Sequence, residues 1–222
     1  MALADDDPIW YASYGSNCLA ARFGAYLQGG QAEGATRAER GARDPRPPTR
    51  SDGYWFSRTV RFLGDSAKWG GGGVAFLDHE EGGRAPGRIY LVTKGQFDDV
   101  VAQESGRALE PVPVADLVPG VVTPLGTGFY DGLLRLADID TVPVVTFTSP
   151  RPVDTRPTTA PSAAYLGTIL RGLLEVHGDD RPTIIASVLD APGVAAGWTA
   201  PALQALLGKQ ADRLMPRPLG SP

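Results

Sequence analysis

Apolar residues fill positions 9–14 almost without a break, and Gly15-Ser16-Asn17 ends the run. A short continuous apolar stretch closed by a turn signal predicts a buried strand leaving a sheet through a tight turn. Leu19, Phe23, Tyr26 and Leu27 follow at helical spacing, so the local order is strand, turn, helix. Residues 29–52 are rich in Gly, Pro, Arg and Glu and carry no period, which reads as a long loop. Three β-like segments come next, at 54–62, 73–77 and 88–92, punctuated by the glycine-rich runs 70–73 and 79–87. A helical stripe of Phe97, Val100 and Val101 then predicts a helix over 94–105, with Gly106 as its stop.

Farther on, 133–136 and 142–147 read as strands, and the Pro- and Thr-rich stretch 149–161 as an extended connector. Tyr165, Ile169, Leu173 and Val176 place a helix over 162–177, with Gly172 as a weak position in it. Residues 183–189 fit either a helix or a strand. Residues 201–207 fit a last short helix, and the end from Pro216 is expected to fray. No repeat is visible. Strands dominate the first two thirds and helices the end, which predicts an α+β chain and not a doubly wound sheet.

Composition narrows the function classes. At 222 residues the default is one domain spanning 1–222, with enough chain for one substantial core. Hydrophobic content of 42% and charged content of 21% are ordinary for a globular protein, and no apolar run approaches the ~20 residues of a membrane helix. A net charge of -4 without a long basic run argues against nucleic acid as the partner. The arginines between Arg37 and Arg50 are interleaved with acids and prolines and read as a solvated loop. One cysteine, Cys18, forms no internal disulfide, and the acidic N-terminus lacks a signal-peptide pattern, so the cytoplasm is the expected location. Lysine stands only at Lys68, Lys94 and Lys209 in a chain rich in Arg, Ala, Gly and Pro, a bias expected of a high-GC bacterial genome.

The turn at Gly15-Ser16-Asn17 is the first candidate for chemistry. Backbone N–H groups at the start of a helix have no internal partners and sit at a positive dipole end, so they can grip a carboxylate or a developing oxyanion. A simple capped turn is the alternative, with Ser16 or Asn17 as the cap. Glu104 is the second candidate. It falls on the same helical face as Phe97, Val100 and Val101, which aims its carboxylate inward, where burial raises the pKa toward the range useful for proton transfer. A structural pairing with an arginine such as Arg88, or a place at a frayed helix end, is the other reading of this residue.

The string Tyr11-Ala12-Ser13-Tyr14-Gly15-Ser16-Asn17 resembles the Tyr-Gly-Ser-Asn motif of the γ-glutamylcyclotransferase-like family. The resemblance continues in order through residues 9–175. Trp69 and the glycines 70–73 look like that family's aromatic and Gly-Gly lead into a strand. Gln103-Glu104-Ser105-Gly106 is similar to the helix end that carries its catalytic Glu. Gly128-Phe129-Tyr130 and Pro161-Ser162-Ala163-Ala164-Tyr165 are similar to the segments that supply its site tyrosines. Cys18, Ala12, Ala102 and the long stretch 107–128 depart from the family pattern, and residues beyond 175 form a helical extension.

The resemblance implies a mixed, mostly antiparallel, barrel-like sheet with flanking helices around a pocket, and an enzyme that uses no metal or cofactor. Tyr14, Gly15, Ser16, Asn17, Tyr130 and Tyr165 would bind a γ-glutamyl amine or peptide. Glu104 would shuttle the proton as the α-amine attacks the γ-carbonyl and 5-oxoproline leaves. A related acyl-group transferase or deprotecting enzyme on a natural-product intermediate, and a binding module without turnover, remain open beside it, as does a homodimer. Other constellations are weaker. Cys18 has no sequence pattern bringing His79 or His177 beside it, two histidines lack metal-ligand spacing, and Glu80 and Glu81 sit in a glycine-rich loop. The glycines 70–73 lack the lysine of a phosphate loop, and Gly126-x-Gly128 lacks the third dinucleotide glycine.

Overall fold

In the computed structural model, which describes residues 2–31, 38–178 and 180–214, the first apolar run forms strand β1 (Pro8–Ser13) inside a six-stranded sheet. Strand β5 (Ala85–Thr93) pairs with it antiparallel, from Pro8 opposite Thr93 to Ser13 opposite Arg88. Strand β8 (Val144–Thr148) lies on its other side, parallel. With β2 (Arg50–Phe56), β6 (Val122–Pro124) and β7 (Gly132–Arg135) the order is β2-β5-β1-β8-β7-β6. The sheet is mixed and mostly antiparallel, as expected. Its ladder ends at β2 and β6 without closing, so this sheet forms no barrel among the described residues. Strands β3 (Val60–Leu63) and β4 (Val74–Leu77) pair separately, antiparallel.

The unbroken apolar character of β1 has a simple cause: both faces of the strand are covered. Ile9 and Tyr11 join Phe23, Tyr26, Phe97 and Val100 in a core beneath helices α1 (Ala20–Gln28) and α2 (Lys94–Ser105). Trp10, Ala12 and Tyr14 face the other way, into a core with Phe62, Phe76, Leu166 and Ile169 from β3, β4 and α3 (Ala163–His177). Each large apolar side chain so buried contributes ~1.5–3 kcal/mol. Helices α4 (Arg181–Leu189) and α5 (Ala200–Leu214) pack on α3. No helix among the described residues is long and apolar enough to cross a membrane.

Helix α2 starts in a capping box between Thr93 and Gln96 and stops at Gly106, whose φ of 64° suits a residue without a Cβ. It is buried on more than its apolar stripe. Lys94 and Asp98 form an ion pair at 2.6 Å with 4% and 2% side-chain exposure, and Asp99 accepts from Arg43 at 3.0 Å.

Several elements differ from the sequence reading. The segment 54–62 is two strands, because Arg58 is buried between them and donates to the carbonyls of Asp78 and Gly120. Strand β2 begins at Arg50, inside the stretch read as loop, and β6 lies in the stretch 107–128 where none was expected. Residues 183–189 are helical, with Pro182 in the first turn of α4, where its missing N–H costs nothing. Helix α5 runs on to Leu214. The described arginines of the stretch, Arg40, Arg43, Arg46 and Arg50, are exposed, as read from the sequence, although Arg43 also pairs with the buried Asp99 and the Arg50 guanidinium lies 5.2 Å from the Trp10 ring centre. Arg37 and the end from Pro216 lie outside the described residues.

Candidate active site

The turn after β1 is a single 3-10 turn, Ser16–Cys18, and not the first turn of α1, which begins at Ala20. Its internal bonds run from Cys18 N to the Gly15 carbonyl and from Leu19 N to the Ser16 carbonyl. The turn therefore places no demand on the N–H groups of Gly15, Ser16 and Asn17. The expected capping by Ser16 or Asn17 does not occur, since neither the 3-10 turn nor α1 has a side-chain cap. Asn17 instead turns its amide inward, and Nδ2 donates to Glu104 Oε1 at 2.8 Å and to the Tyr11 hydroxyl at 3.1 Å. An ionised carboxylate only accepts, so this amide orientation is the one that suits it. Asn17 Oδ1 is buried without a partner.

Helix α3 fixes the turn from behind. A Cβ at Gly172 would overlap the Cys18 carbonyl carbon and the Leu19 nitrogen, so this glycine is a close approach and not a weak point. Arg88, from β5, donates to the Cys18 carbonyl at 3.0 Å and pairs with Glu175 of α3 at 2.5 Å, which removes it as a partner for Glu104.

One cavity of about 260 Å³ brings all the expected site residues together: Tyr14, Gly15, Ser16, Asn17, Glu104, Tyr130 and Tyr165 all line it. Glu104 sits in the last turn of α2, half-buried. The three tyrosines are anchored to backbone. Tyr14 donates to the Phe147 carbonyl at 2.7 Å and Tyr130 to the Ala75 carbonyl at 3.0 Å, while the Tyr165 oxygen accepts from Ala75 N at 3.2 Å. The Tyr165 oxygen also lies 3.1 Å from where a Cβ on Gly15 would be, so the glycine leaves room for it. Burial pushes all three phenols well above their ordinary pKa, and they stay protonated.

The cavity is also lined by Arg22, Tyr26 and Lys68, which the sequence reading missed. Arg22, with 1% exposure, donates from Nη2 to the Tyr26 hydroxyl and to Glu39 Oε1, each at 2.8 Å. Lys68 reaches the same Glu39 oxygen at 3.1 Å. Burial disfavours the Arg22 charge, but Tyr26, Glu104 and Glu39 more than reverse this. Burial and then the negative charge of Glu104 raise the Tyr26 phenol. The signal for this group was present in the chain as Arg22 and Tyr26 one helical turn apart.

The weaker constellations fall away. Burial pushes the Cys18 thiol up to about 12, against the needs of a nucleophile, and its sulfur neighbours Ser13. His79 and His177 are engaged with the carbonyls of Ser149 and Gly87. Glu81 is largely exposed. Among the described residues no group of three or more His, Cys, Asp or Glu side chains is placed to hold a metal ion.

No protein-family model matches the chain. By sequence it is similar to histone deacetylase 5 of Arabidopsis thaliana, at 32% identity over 186 residues. That match takes in 75% of this chain but 28% of the plant protein, so the chain spans little more than a quarter of its relative. Among solved structures it is similar to a gamma-glutamyl cyclotransferase, with a TM-score of 0.53 and 13% identity over 91% of this chain and 99% of that one. An uncharacterized protein from Homo sapiens aligns at a TM-score of 0.49 and 14% identity, covering 90% of this chain and 98% of that one. The chain therefore shares the mixed α+β fold of a gamma-glutamyl cyclotransferase.

Proposed function

We propose that the protein is a γ-glutamylcyclotransferase-like enzyme that closes the γ-glutamyl unit of a small substrate onto itself. The observation that carries this reading is the bond from Asn17 Nδ2 to Glu104 Oε1, which joins the Tyr14–Asn17 segment and the end of α2 inside one cavity. The N–H groups of residues 15–17 receive the γ-glutamyl unit. Glu104 takes a proton from its α-amine, and the amine nitrogen attacks the γ-carbonyl carbon. The new C–N bond closes a five-membered ring, the bond to the leaving amine breaks, and Glu104 returns the proton to that nitrogen. The products are 5-oxoproline and a free amine. Nucleophile and carbonyl belong to one molecule, so much of the rate comes from proximity, and the residues need only orient the chain and move one proton. Tyr130 and Tyr165, protonated and fixed to Ala75, hold the substrate against the turn.

The test is 5-oxoproline release, read by mass spectrometry, over a panel of γ-glutamyl amines and peptides. Release is expected to fall by ~10²–10⁴ in Glu104→Gln. The glutamine keeps an acceptor for Asn17, so the melting temperature should hold. Unchanged turnover in that variant would remove Glu104 from the chemistry. No 5-oxoproline from any donor would end the cyclotransferase reading, and a different acyl product would redirect it to another transfer reaction.

A further inference from the structure

Among the described residues, Phe129 is the one cavity-lining aromatic that is largely open to solvent, at 55% exposure. Its ring lies over the fully buried Phe76, 5.8 Å between centres at 24°, and Phe76 in turn stacks on Tyr130 at 5.0 Å. The loop that carries it is wound around a buried carboxylate. Asp131, at 5% exposure, accepts from Gly128 N at 2.8 Å, and its own carbonyl accepts from Leu125 N at 2.6 Å. A Cβ on Gly126 or Gly128 would press against that carboxylate, so both glycines are needed for the loop to close on it. On its other side, the Phe129 ring lies 3.3 Å from where a Cβ on Gly64 would be. A large apolar ring is thus held at the mouth by a braced loop, and burying it in the native fold is not what the brace achieves. Lys68 and Trp69 also line the cavity. The γ-glutamyl unit is assigned to the inner turn, so what reaches Phe129 is the part of the substrate beyond the γ-carbonyl.

We propose that Phe129 selects the leaving group, favouring amines that carry an aromatic or large apolar side chain. This rests on the cyclotransferase reading of the same cavity. Burial of the Phe129 ring against such a group supplies affinity that a small amine cannot.

Two donors without a second carboxylate, γ-glutamyl benzylamide and γ-glutamyl methylamide, isolate the side-chain effect. Wild-type kcat/KM for the benzylamide is expected to exceed that for the methylamide by about 10- to 100-fold, the discrimination that an apolar pocket supports. In Phe129→Ala the ratio should collapse toward one, while Phe129→Trp should keep it. Equal turnover of the two donors by the wild type, or a ratio that persists in Phe129→Ala, overturns the inference and leaves the cyclotransferase reading standing. Absence of 5-oxoproline from both donors, where another γ-glutamyl donor of the panel yields it, overturns the inference alone; absence across the whole panel removes both.

Discussion

The two walls of the cavity are built by opposite means. On one, Asn17 bonds to Glu104 and Arg22 to Tyr26, while Arg22 and Lys68 are tied together through Glu39, which does not itself line the cavity. On the other, Tyr14, Tyr130 and Tyr165 each bond to a backbone group, and their rings pack among Phe56, Phe76, Phe147 and Trp69. Removing one member of the polar wall uncovers a partner that is itself charged and buried. Losing a hydroxyl from the aromatic wall uncovers at most one backbone group, and the ring stays in place. The polar wall should therefore be fragile and the aromatic wall tolerant.

The largest effect is expected at Arg22. Replacing it with Met leaves Glu39 with only Lys68, and breaking a buried pair from one side costs about 3–5 kcal/mol. For a chain of this size that is a fall of ~2–4 °C in melting temperature per kcal/mol. The pH dependence should change with it. Burial pushes the Glu39 carboxyl up, but Arg22 and Lys68 more than reverse this and hold it below its ordinary value of 4.5. A depressed folded pKa gives stability that is present above 4.5 and lost as pH falls through the folded value. Thermal melts on both sides of that pH should show a smaller acid loss in Arg22→Met than in the wild type, and an equal loss would remove Glu39 as its source.

The backing of the turn comes next. Gly172→Ala drives a Cβ into the Cys18–Leu19 backbone, which should cost about 1–3 kcal/mol and displace Asn17 from Glu104. A melt together with 5-oxoproline release reads both effects, and a variant with wild-type stability would mean that α3 does not clamp the turn. The smallest effect is expected at Tyr14→Phe, which keeps the ring but removes the donor to the Phe147 carbonyl, for about 1 kcal/mol. If this substitution lowered the melting temperature as much as Arg22→Met, the contrast between the walls would fail.

How much of this was legible beforehand follows the range of the forces. The strand at β1, the 3.6-residue stripe of α2 with Gly106 as its stop, and the helix opened by Ser162 were readable because each depends on neighbours within a few positions. The break at 57–59 was not, since it exists for contacts of Arg58 with Asp78 and Gly120, the second of these 62 positions away. The same holds for Arg22: sequence placed it on a helix, but its partner Glu39 lies beyond α1, across residues without a period.

By itself the sequence determined the α+β class, the order strand, turn, helix around Gly15-Ser16-Asn17, and the set Tyr14, Asn17, Glu104, Tyr130 and Tyr165 as candidates. Those properties rest on local periodicity, on glycine's backbone freedom and on a motif resemblance. Only the tertiary structure decided that the turn is 3-10 and uncapped, that Asn17 and not Arg88 meets Glu104, and that Arg22, Lys68 and Phe129 complete the cavity. These are contacts between residues far apart in the chain, fixed by which faces of the sheet and helices are buried together, and no local pattern encodes them.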